Sequence, residues 1–279
     1  MKTKILFILM LSVMSLCAQA QSAYVRVGLG AAICTSPQYV YQNTYISIGG
    51  NQNTTETKKA GQGDGLPIFA AAGYYFGKNF GVELGVDYFQ GFNHKTVDDF
   101  NGSITTQKLH ATMLSIVPAF VMKLNLDKVQ PYARLGIMIG VLSNGIYVQK
   151  MSGSPINSRG FFNDGPGADL TVRDYGGIAI GAQAALGTEF KLSKLLSLFG
   201  EINLDAINWS PKKGKVTKYS IDGVDKLGTL TTKEKTWVYE TKVDYTQNIP
   251  DSEPDKWIKE NYSFANVGLV VGLKINFGK

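Results

Sequence analysis

The chain has 279 residues, of which 44% are hydrophobic, 11% aromatic and 18% charged, and its formal net charge is +6 at pH 7. Its basic residues are scattered among acidic ones, so the composition gives no indication of a nucleic-acid partner. The chain contains only two histidines and two cysteines, which excludes a multi-histidine zinc centre and a disulfide-rich scaffold.

Residues 1–20, MKTKILFILMLSVMSLCAQA, have the pattern of a cleaved secretory signal: two early lysines, an apolar run and a small-residue site. We predict cleavage after Ala20 and a mature domain over 21–279. Loss of Lys2 and Lys4 leaves 26 basic against 22 acidic residues, a net charge of +4. No later run of 18 or more apolar residues occurs, which excludes a helical membrane protein.

Eight later segments alternate apolar residues with small or polar ones, which is the period of a β-strand. In FGVELGVDYFQ at 80–90, the apolar side chains share one face, while Glu83 and Asp87 lie on the other with two glycines. Each segment is long enough to cross a bilayer as a tilted strand. The eight segments are 23–32, 66–76, 80–90, 107–123, 131–141, 175–192, 196–209 and 264–277.

The connections between these segments alternate in length, with 33, 3, 16, 7, 33, 3 and 54 residues in order. Outer-membrane barrels have this asymmetry, because their periplasmic turns are short and their external loops are long. We therefore predict an all-β fold: an eight-stranded antiparallel transmembrane β-barrel. A soluble two-sheet sandwich is the alternative, but the glycine-rich polar faces of the strands favour a crowded barrel interior.

Nine charged side chains fall on the faces that would point into the barrel. An eight-stranded barrel has room inside only for its own side chains, so these groups are expected to pair. We predict an ion-pair network that closes the lumen. A path for protons or ions is the alternative. The predicted network consists of Arg26, Glu83, Asp87, Arg134, Glu189, Lys191, Glu201, Asp205 and Lys274.

The hairpin GYYFGKNFGVELGVDY at 73–88 and the final strand GLVVGLKINF at 268–277, together with the signal and the eight strands, resemble the small outer-membrane β-barrel family of OmpA-domain, OmpX and OmpW type. The resemblance implies a location in the Gram-negative outer membrane and contact with its lipid. It also implies that the barrel-assembly machinery recognises an aromatic residue at the end of the last strand. Phe277 fits that signal, although two residues follow it.

The 54-residue connection at 210–263 is patterned and is expected to be partly folded. Asp222-Gly223 suits a two-residue hairpin turn. Alternation over 237–245 predicts a further strand, and Ser252-Glu253-Pro254-Asp255 predicts a short helix over 256–261. The aromatic residues Trp237, Tyr239 and Tyr245 are expected to contact either the other loops or an external partner.

Three classes of function fit this pattern. We expect a surface-interaction barrel that displays its loops for adhesion or complex formation with an external protein or ligand. A narrow pore for small solutes is the second candidate. A lipid-modifying enzyme is the third, since His110 shares the lipid-facing side of its strand, but Thr112 stands where such an enzyme would need serine. No catalytic residue, metal or cofactor is predicted.

Overall fold

The computed structural model describes residues 23–36, 39–46, 53–100, 103–152, 167–244, 246 and 248–277. The predicted signal at 1–20 and Tyr245 lie outside these residues. The strands are β1 (Ala23–Cys34), β2 (Tyr39–Ile46), β3 (Asn53–Ala60), β4 (Gly65–Tyr75), β5 (Phe80–Gly91), β6 (His94–Phe100), β7 (Ser103–Lys123), β8 (Val129–Ser152), β9 (Ala168–Tyr175), β10 (Ala179–Lys191), β11 (Leu196–Trp209), β12 (Lys213–Ile221), β13 (Val224–Asp225), β14 (Thr236–Glu240), β15 (Asp255–Ile258), β16 (Tyr262–Ser263) and β17 (Asn266–Phe277).

Helical structure in the described part is confined to a 3-10 turn at Leu227–Thr229 and the four-residue helix α1 at Thr232–Lys235. Across the described ranges, no helix has the length and apolar character needed to cross a membrane.

Eight of the strands form a closed barrel. Following the wall, β1 pairs with β4, then β5, β7, β8, β10, β11 and β17 follow, and every neighbouring pair is antiparallel. The wall closes where β1 pairs with β17, from Ala23 opposite Phe277 to Cys34 opposite Asn266. Closure gives every wall strand two neighbours, so the barrel presents no unpaired edge to lipid. The predicted eight-stranded antiparallel barrel is confirmed.

The two faces of the wall differ in the way that a membrane requires. On β1, Val27 and Leu29 are 49% and 64% exposed on the outer face, whereas Arg26 is 3% exposed on the inner face. The same alternation recurs around the barrel and gives an outer surface rich in exposed leucine, isoleucine and valine. In water such a surface would be a large aggregation liability, but it is the surface expected against hydrocarbon.

The two ends of the barrel are unequal. One end, the turn end, carries the short connections 76–79, 124–128 and 192–195. At the other end, the loop end, β7 and β8 continue beyond the barrel. There β6 and β9 extend them into a nine-stranded sheet with the order β3-β2-β6-β7-β8-β9-β12-β14-β15. We call this the loop-end sheet.

Within the 210–263 connection, one prediction is confirmed and another is wrong. The Asp222-Gly223 hairpin forms between β12 and β13, and both residues have positive φ, 50° and 79°. The predicted helix at 256–261 does not form, because the chain there pairs in parallel with β14 as the strand β15. The helix lies earlier, at α1, where the Thr231 side chain accepts a hydrogen bond from the Glu234 backbone and the Glu234 carboxylate accepts one from the Thr231 backbone.

Two strand boundaries also differ from the prediction. The segment 175–192 is interrupted, since Gly176 and Gly177 have φ of 76° and 83° and separate β9 from β10. The strand predicted over 237–245 ends at Glu240.

Candidate functional site

The centre of the lumen holds a layer of buried ion pairs contributed by four wall strands. Arg26 on β1 lies 2.8 Å from Glu83 on β5 and 2.9 Å from Glu201 on β11. Arg134 on β8 lies 2.9 Å from Glu201 and 3.6 Å from Glu83. Each carboxylate therefore contacts both guanidinium groups, and a ring of alternating charge crosses the lumen.

Aromatic rings pack against this ring of charges. The guanidinium of Arg26 lies 4.7 Å from the centre of the Phe69 ring and 5.0 Å from that of Phe199. A Cβ at Gly28 would stand 2.7 Å from the Phe69 ring, and one at Gly272 would stand 2.5 Å from the Phe199 ring. Glycine at these two wall positions therefore makes the space that the two rings fill.

Tyrosines complete the layer. The hydroxyl of Tyr24 donates to Glu83 at 2.9 Å, and that of Tyr132 donates to Glu201 at 2.6 Å. The charge pattern alone did not predict these two side chains. The sequence does indicate that they face inward, because Tyr24 and Tyr132 stand two residues before Arg26 and Arg134 and so lie on the same face of their strands.

A second buried pair lies nearer the turn end. The Lys274 ammonium donates to Glu189 at 2.6 Å and to the Tyr75 hydroxyl at 3.1 Å, and it lies 3.9 Å from the centre of the Tyr24 ring. Lys274 is 0% exposed. Lys191 differs from the other members of the predicted network: its side chain is exposed and lines the mouth of the barrel at the turn end, because β10 ends there.

The last two members of the predicted network, Asp87 on β5 and Asp205 on β11, lie toward the loop end. The Gln183 amide nitrogen donates to Asp87 at 3.0 Å, and its oxygen accepts a hydrogen bond from Arg134. Gln183 also stands directly opposite Asp205 in the β10–β11 pairing. Neither aspartate has a basic nitrogen within 4 Å among the described residues. This pair is therefore held by amides rather than by cations.

At the loop end, the aromatic residues of the 210–263 connection contact other loops. Trp237 is 2% exposed; its ring stacks on Trp257 of the same connection with centroids 4.5 Å apart, and it shares an apolar cluster with Leu170 and Val172 of β9. Tyr239 is half-buried, and its hydroxyl donates to Asp174 on β9 at 2.9 Å. Of the two predicted roles for these residues, the structure places Trp237 and Tyr239 in loop-to-loop packing.

Asp174 lies where β9 meets that connection. Besides Tyr239, the Tyr262 hydroxyl lies 3.5 Å from its carboxylate and 2.5 Å from that of Glu260. Burial raises the pKa of Asp174 to about 6, an effect that the tyrosine hydrogen bonds partly oppose.

The described residues contain no group of three or more His, Cys, Asp or Glu side chains able to hold a metal ion. His110 and Thr112 are both half-buried on β7. Phe277, the predicted assembly signal, is the last residue of β17, opposite Ala23, and is 39% exposed. Gly278 and Lys279 lie outside the described residues.

A closed antiparallel barrel with an apolar outer belt and ion pairs buried in its lumen defines an integral β-barrel membrane protein. The sequence matches the family model "Outer membrane protein beta-barrel domain" over residues 6–221. The chain therefore belongs to the outer-membrane β-barrel family, and its location is the Gram-negative outer membrane.

Solved structures that are similar to this chain include three outer-membrane proteins. Neisserial surface protein A is 11% identical, covering 91% of this chain and 96% of its own, with a TM-score of 0.35. OprG from Pseudomonas aeruginosa is 14% identical, with coverages of 93% and 97% and a TM-score of 0.40. Ail, the attachment invasion locus protein of Yersinia pestis, is 10% identical, with coverages of 91% and 98% and a TM-score of 0.32. No curated protein matches the sequence.

Proposed function

We propose that this protein acts at the cell surface through its loop-end sheet, and that the barrel is a closed scaffold which holds the sheet at the membrane. The function is adhesion or complex formation with an external protein or surface ligand. The observation that carries the proposal is the continuation of β7 and β8 out of the barrel into a sheet with a core of its own. That core contains Leu170, Val172, Val216, Tyr219 and Trp237.

The filled lumen supports the scaffold role. Buried charges that pair in one compact network are costly to separate, because each partner would be left alone in a low-dielectric interior. Above them, toward the loop end, a second core of apolar side chains occupies the barrel, including Met113, Val117, Met138, Trp209 and Phe264. A barrel filled in this way leaves the surface outside the membrane as the place where a partner can bind.

Two further partners follow from the same architecture. The outer belt of exposed apolar side chains is suited to outer-membrane lipid. Phe277 at the end of the closing strand is suited to recognition by the barrel-assembly machinery.

The experiment removes the outer strands of the loop-end sheet. In one variant, residues 212–260 are replaced by a short glycine-containing turn, which deletes β12 to β15 and leaves all eight wall strands. Cells displaying the wild type are expected to attach to immobilised extracellular proteins or to one another, and cells with this variant are expected to lose that attachment.

The matched control shortens a different connection. The backbone nitrogen of Gly167 donates to the Met151 carbonyl at 3.0 Å, so the ends of 152–166 lie close together and can be joined. Cells displaying this variant should still attach. Attachment that survives removal of 212–260, or a wild type that attaches to nothing, would contradict the proposal.

A narrow pore is the second candidate, and one observation favours it. The turn end opens into a mouth of about 1,260 Å³ whose lining includes the lysines Lys78, Lys123, Lys191 and Lys194. For solute to pass, the ion pairs behind this mouth would have to separate.

A further inference from the structure

Two acidic side chains of the lumen stand outside its ion pairs. Among the described residues, the buried cations Arg26, Arg134 and Lys274 pair with Glu83, Glu201 and Glu189. Within the same described part of the chain, buried Asp205 and half-buried Asp87 have no ion-pair partner within 4 Å. In a low-dielectric interior a carboxylate is neutralised either by a proton or by a bound cation.

A small cavity lies between these two aspartates. Its volume is about 20 Å³, which is room for one ion or one water molecule. Asp87, Asp205, Asn203 and Ser115 line it, together with apolar side chains that include Met113 and Phe264. One oxygen of Asp205 and the amide oxygen of Asn203 are buried without a hydrogen-bond partner. Asp205 is 8% and Asn203 4% exposed, so water outside the barrel does not satisfy them.

The strand register brings further oxygens to the same level. Ser115 stands directly opposite Asp87 in the β5–β7 pairing. Asn266 stands opposite Asp205 in the β11–β17 pairing and also lines the cavity. Gln183, whose nitrogen donates to Asp87 and whose oxygen accepts from Arg134, cannot compensate the charge, because its side-chain amide is neutral.

We propose that this cavity binds one divalent cation of the calcium class between Asp87 and Asp205. A charge of +2 neutralises both carboxylates, and a cation also supplies the partner that the unbonded oxygens of Asp205 and Asn203 lack, which a proton on one carboxylate does not. Carboxylate, amide and hydroxyl oxygens in an irregular arrangement suit Ca²⁺, which accepts varied oxygen ligands, better than Mg²⁺, which demands regular octahedral geometry. No histidine or cysteine lines the cavity, so a softer metal has no preferred ligand there.

The position of the cavity implies that the ion enters as the barrel folds. The ion-pair layer lies on its turn-end side, and the apolar core that includes Met113, Trp209 and Phe264 lies on its loop-end side. A bound ion therefore exchanges slowly, and it raises the temperature at which the barrel unfolds because it binds the folded state selectively.

The test refolds the full chain into detergent micelles with radioactive ⁴⁵Ca²⁺ and then removes free ion by gel filtration. We expect about one Ca²⁺ per chain for the wild type, and a higher unfolding temperature than for protein refolded with a chelator. Excess Mg²⁺ should not displace the ion. Asp205→Asn and Asp87→Asn should each lower bound Ca²⁺ at least tenfold.

Both variants should fold even when they bind no Ca²⁺, because each substitution removes a carboxylate that lacks an ion-pair partner. A loss of bound Ca²⁺ therefore reports on the site and not on misfolding. Asp127→Asn, an exposed aspartate in the β7–β8 turn, makes the same chemical change outside the cavity and should bind Ca²⁺ normally. Wild type that retains no Ca²⁺ after refolding in millimolar calcium, or equal retention by both cavity variants, would overturn the proposal.

Discussion

At the scale of single residues, Glu201 is a highly connected member of the ion-pair layer described above. Its carboxylate accepts hydrogen bonds from Arg26, Arg134 and Tyr132, at 2.9, 2.9 and 2.6 Å. Two strands other than its own, β1 and β8, are thereby joined at one side chain. Replacing one member of a buried ionic network leaves its partners uncompensated, which is more costly than never having formed the network.

We predict that Glu201→Gln lowers the free energy of unfolding by about 3 kcal/mol or more, because the substitution keeps the shape of the side chain but removes its charge. Urea unfolding in lipid vesicles, followed by tryptophan fluorescence, measures the change. Glu253→Gln is the matched control, since Glu253 is exposed. A loss below about 1 kcal/mol would show that the ring of charges contributes as little as a surface ion pair.

Asp174 makes the stability of the loop-end sheet depend on pH. Its pKa is raised from 3.8 to about 6 in the folded sheet. Between these values the folded form keeps a proton that the unfolded form has lost. The stabilisation is therefore fully present below about pH 4 and is lost as the pH rises through 6.

We predict that this loss is up to about 3 kcal/mol for the wild type and absent in Asp174→Asn. The carboxylates and hydroxyls facing the group are those of Glu260, Tyr239 and Tyr262. Urea titrations from pH 4 to 7 measure the difference between the two proteins. Asp251→Asn, an exposed acid in the same connection, should retain the wild-type pH profile. If stability changed with pH in the same way in the wild type and in Asp174→Asn, Asp174 would not be the cause of the pH dependence.

At the scale of elements, the hairpin between β12 and β13 depends on its turn. Gly223 has φ of 79°, whereas Gly228 has no left-handed φ, and an added Cβ would meet no atom within 4 Å at either position. The two glycines therefore differ in backbone conformation rather than in available space.

We predict that Gly223→Ala destabilises the loop-end sheet by about 1–2 kcal/mol, because a left-handed backbone brings Cβ close to the following carbonyl oxygen. Gly228→Ala should be neutral or slightly stabilising. Hydrogen exchange at the amides of β12 reports the local opening free energy. Equal effects of the two substitutions would show that the turn is not constrained.

The eight wall strands were predictable from the sequence, but the extension of β8 was not. Alternation identifies a strand that has lipid on one side and a crowded lumen on the other, because the two environments demand opposite residues. Past residue 141 this logic fails. A bulge shifts the register between Leu114 and Ser115, so Gly140 and Ser143 are both buried although they differ in parity. Ser143 and Gln149 are buried although they are polar, so the buried face of this part of β8 is not marked by apolar residues in the sequence.

The candidate site was predictable as a set of residues but not as a set of partners. Period-2 alternation placed Arg26, Glu83, Arg134 and Glu201 on inward faces of separate strands. Which carboxylate meets which guanidinium depends on the stagger between strands, and no single strand contains that information. The same limit applies to Asp87 and Asp205, whose shared cavity appears only when β5 and β11 face one another across the lumen.

At the scale of the whole molecule, the barrel and the loop-end sheet lie in different surroundings: the barrel in the membrane and the sheet outside it. The wall pairs each of its strands with two neighbours and holds its ion pairs inside, as hydrocarbon requires. The sheet continues from β7 and β8 and builds its core outside that wall. The scaffold role therefore depends on a barrel that does not conduct.

Single-channel recording in planar lipid bilayers tests this dependence most directly. The full chain, purified in detergent and inserted at neutral pH in concentrated KCl, is predicted to give no steady unitary current, because the ion-pair ring and the apolar core leave no continuous path through the lumen. A trimmed variant lacking 212–260 should be equally silent, since the lumen and not the sheet blocks the path. Steady unitary currents from the wild type, reproducible from one insertion to the next, would contradict the closed scaffold and favour the pore.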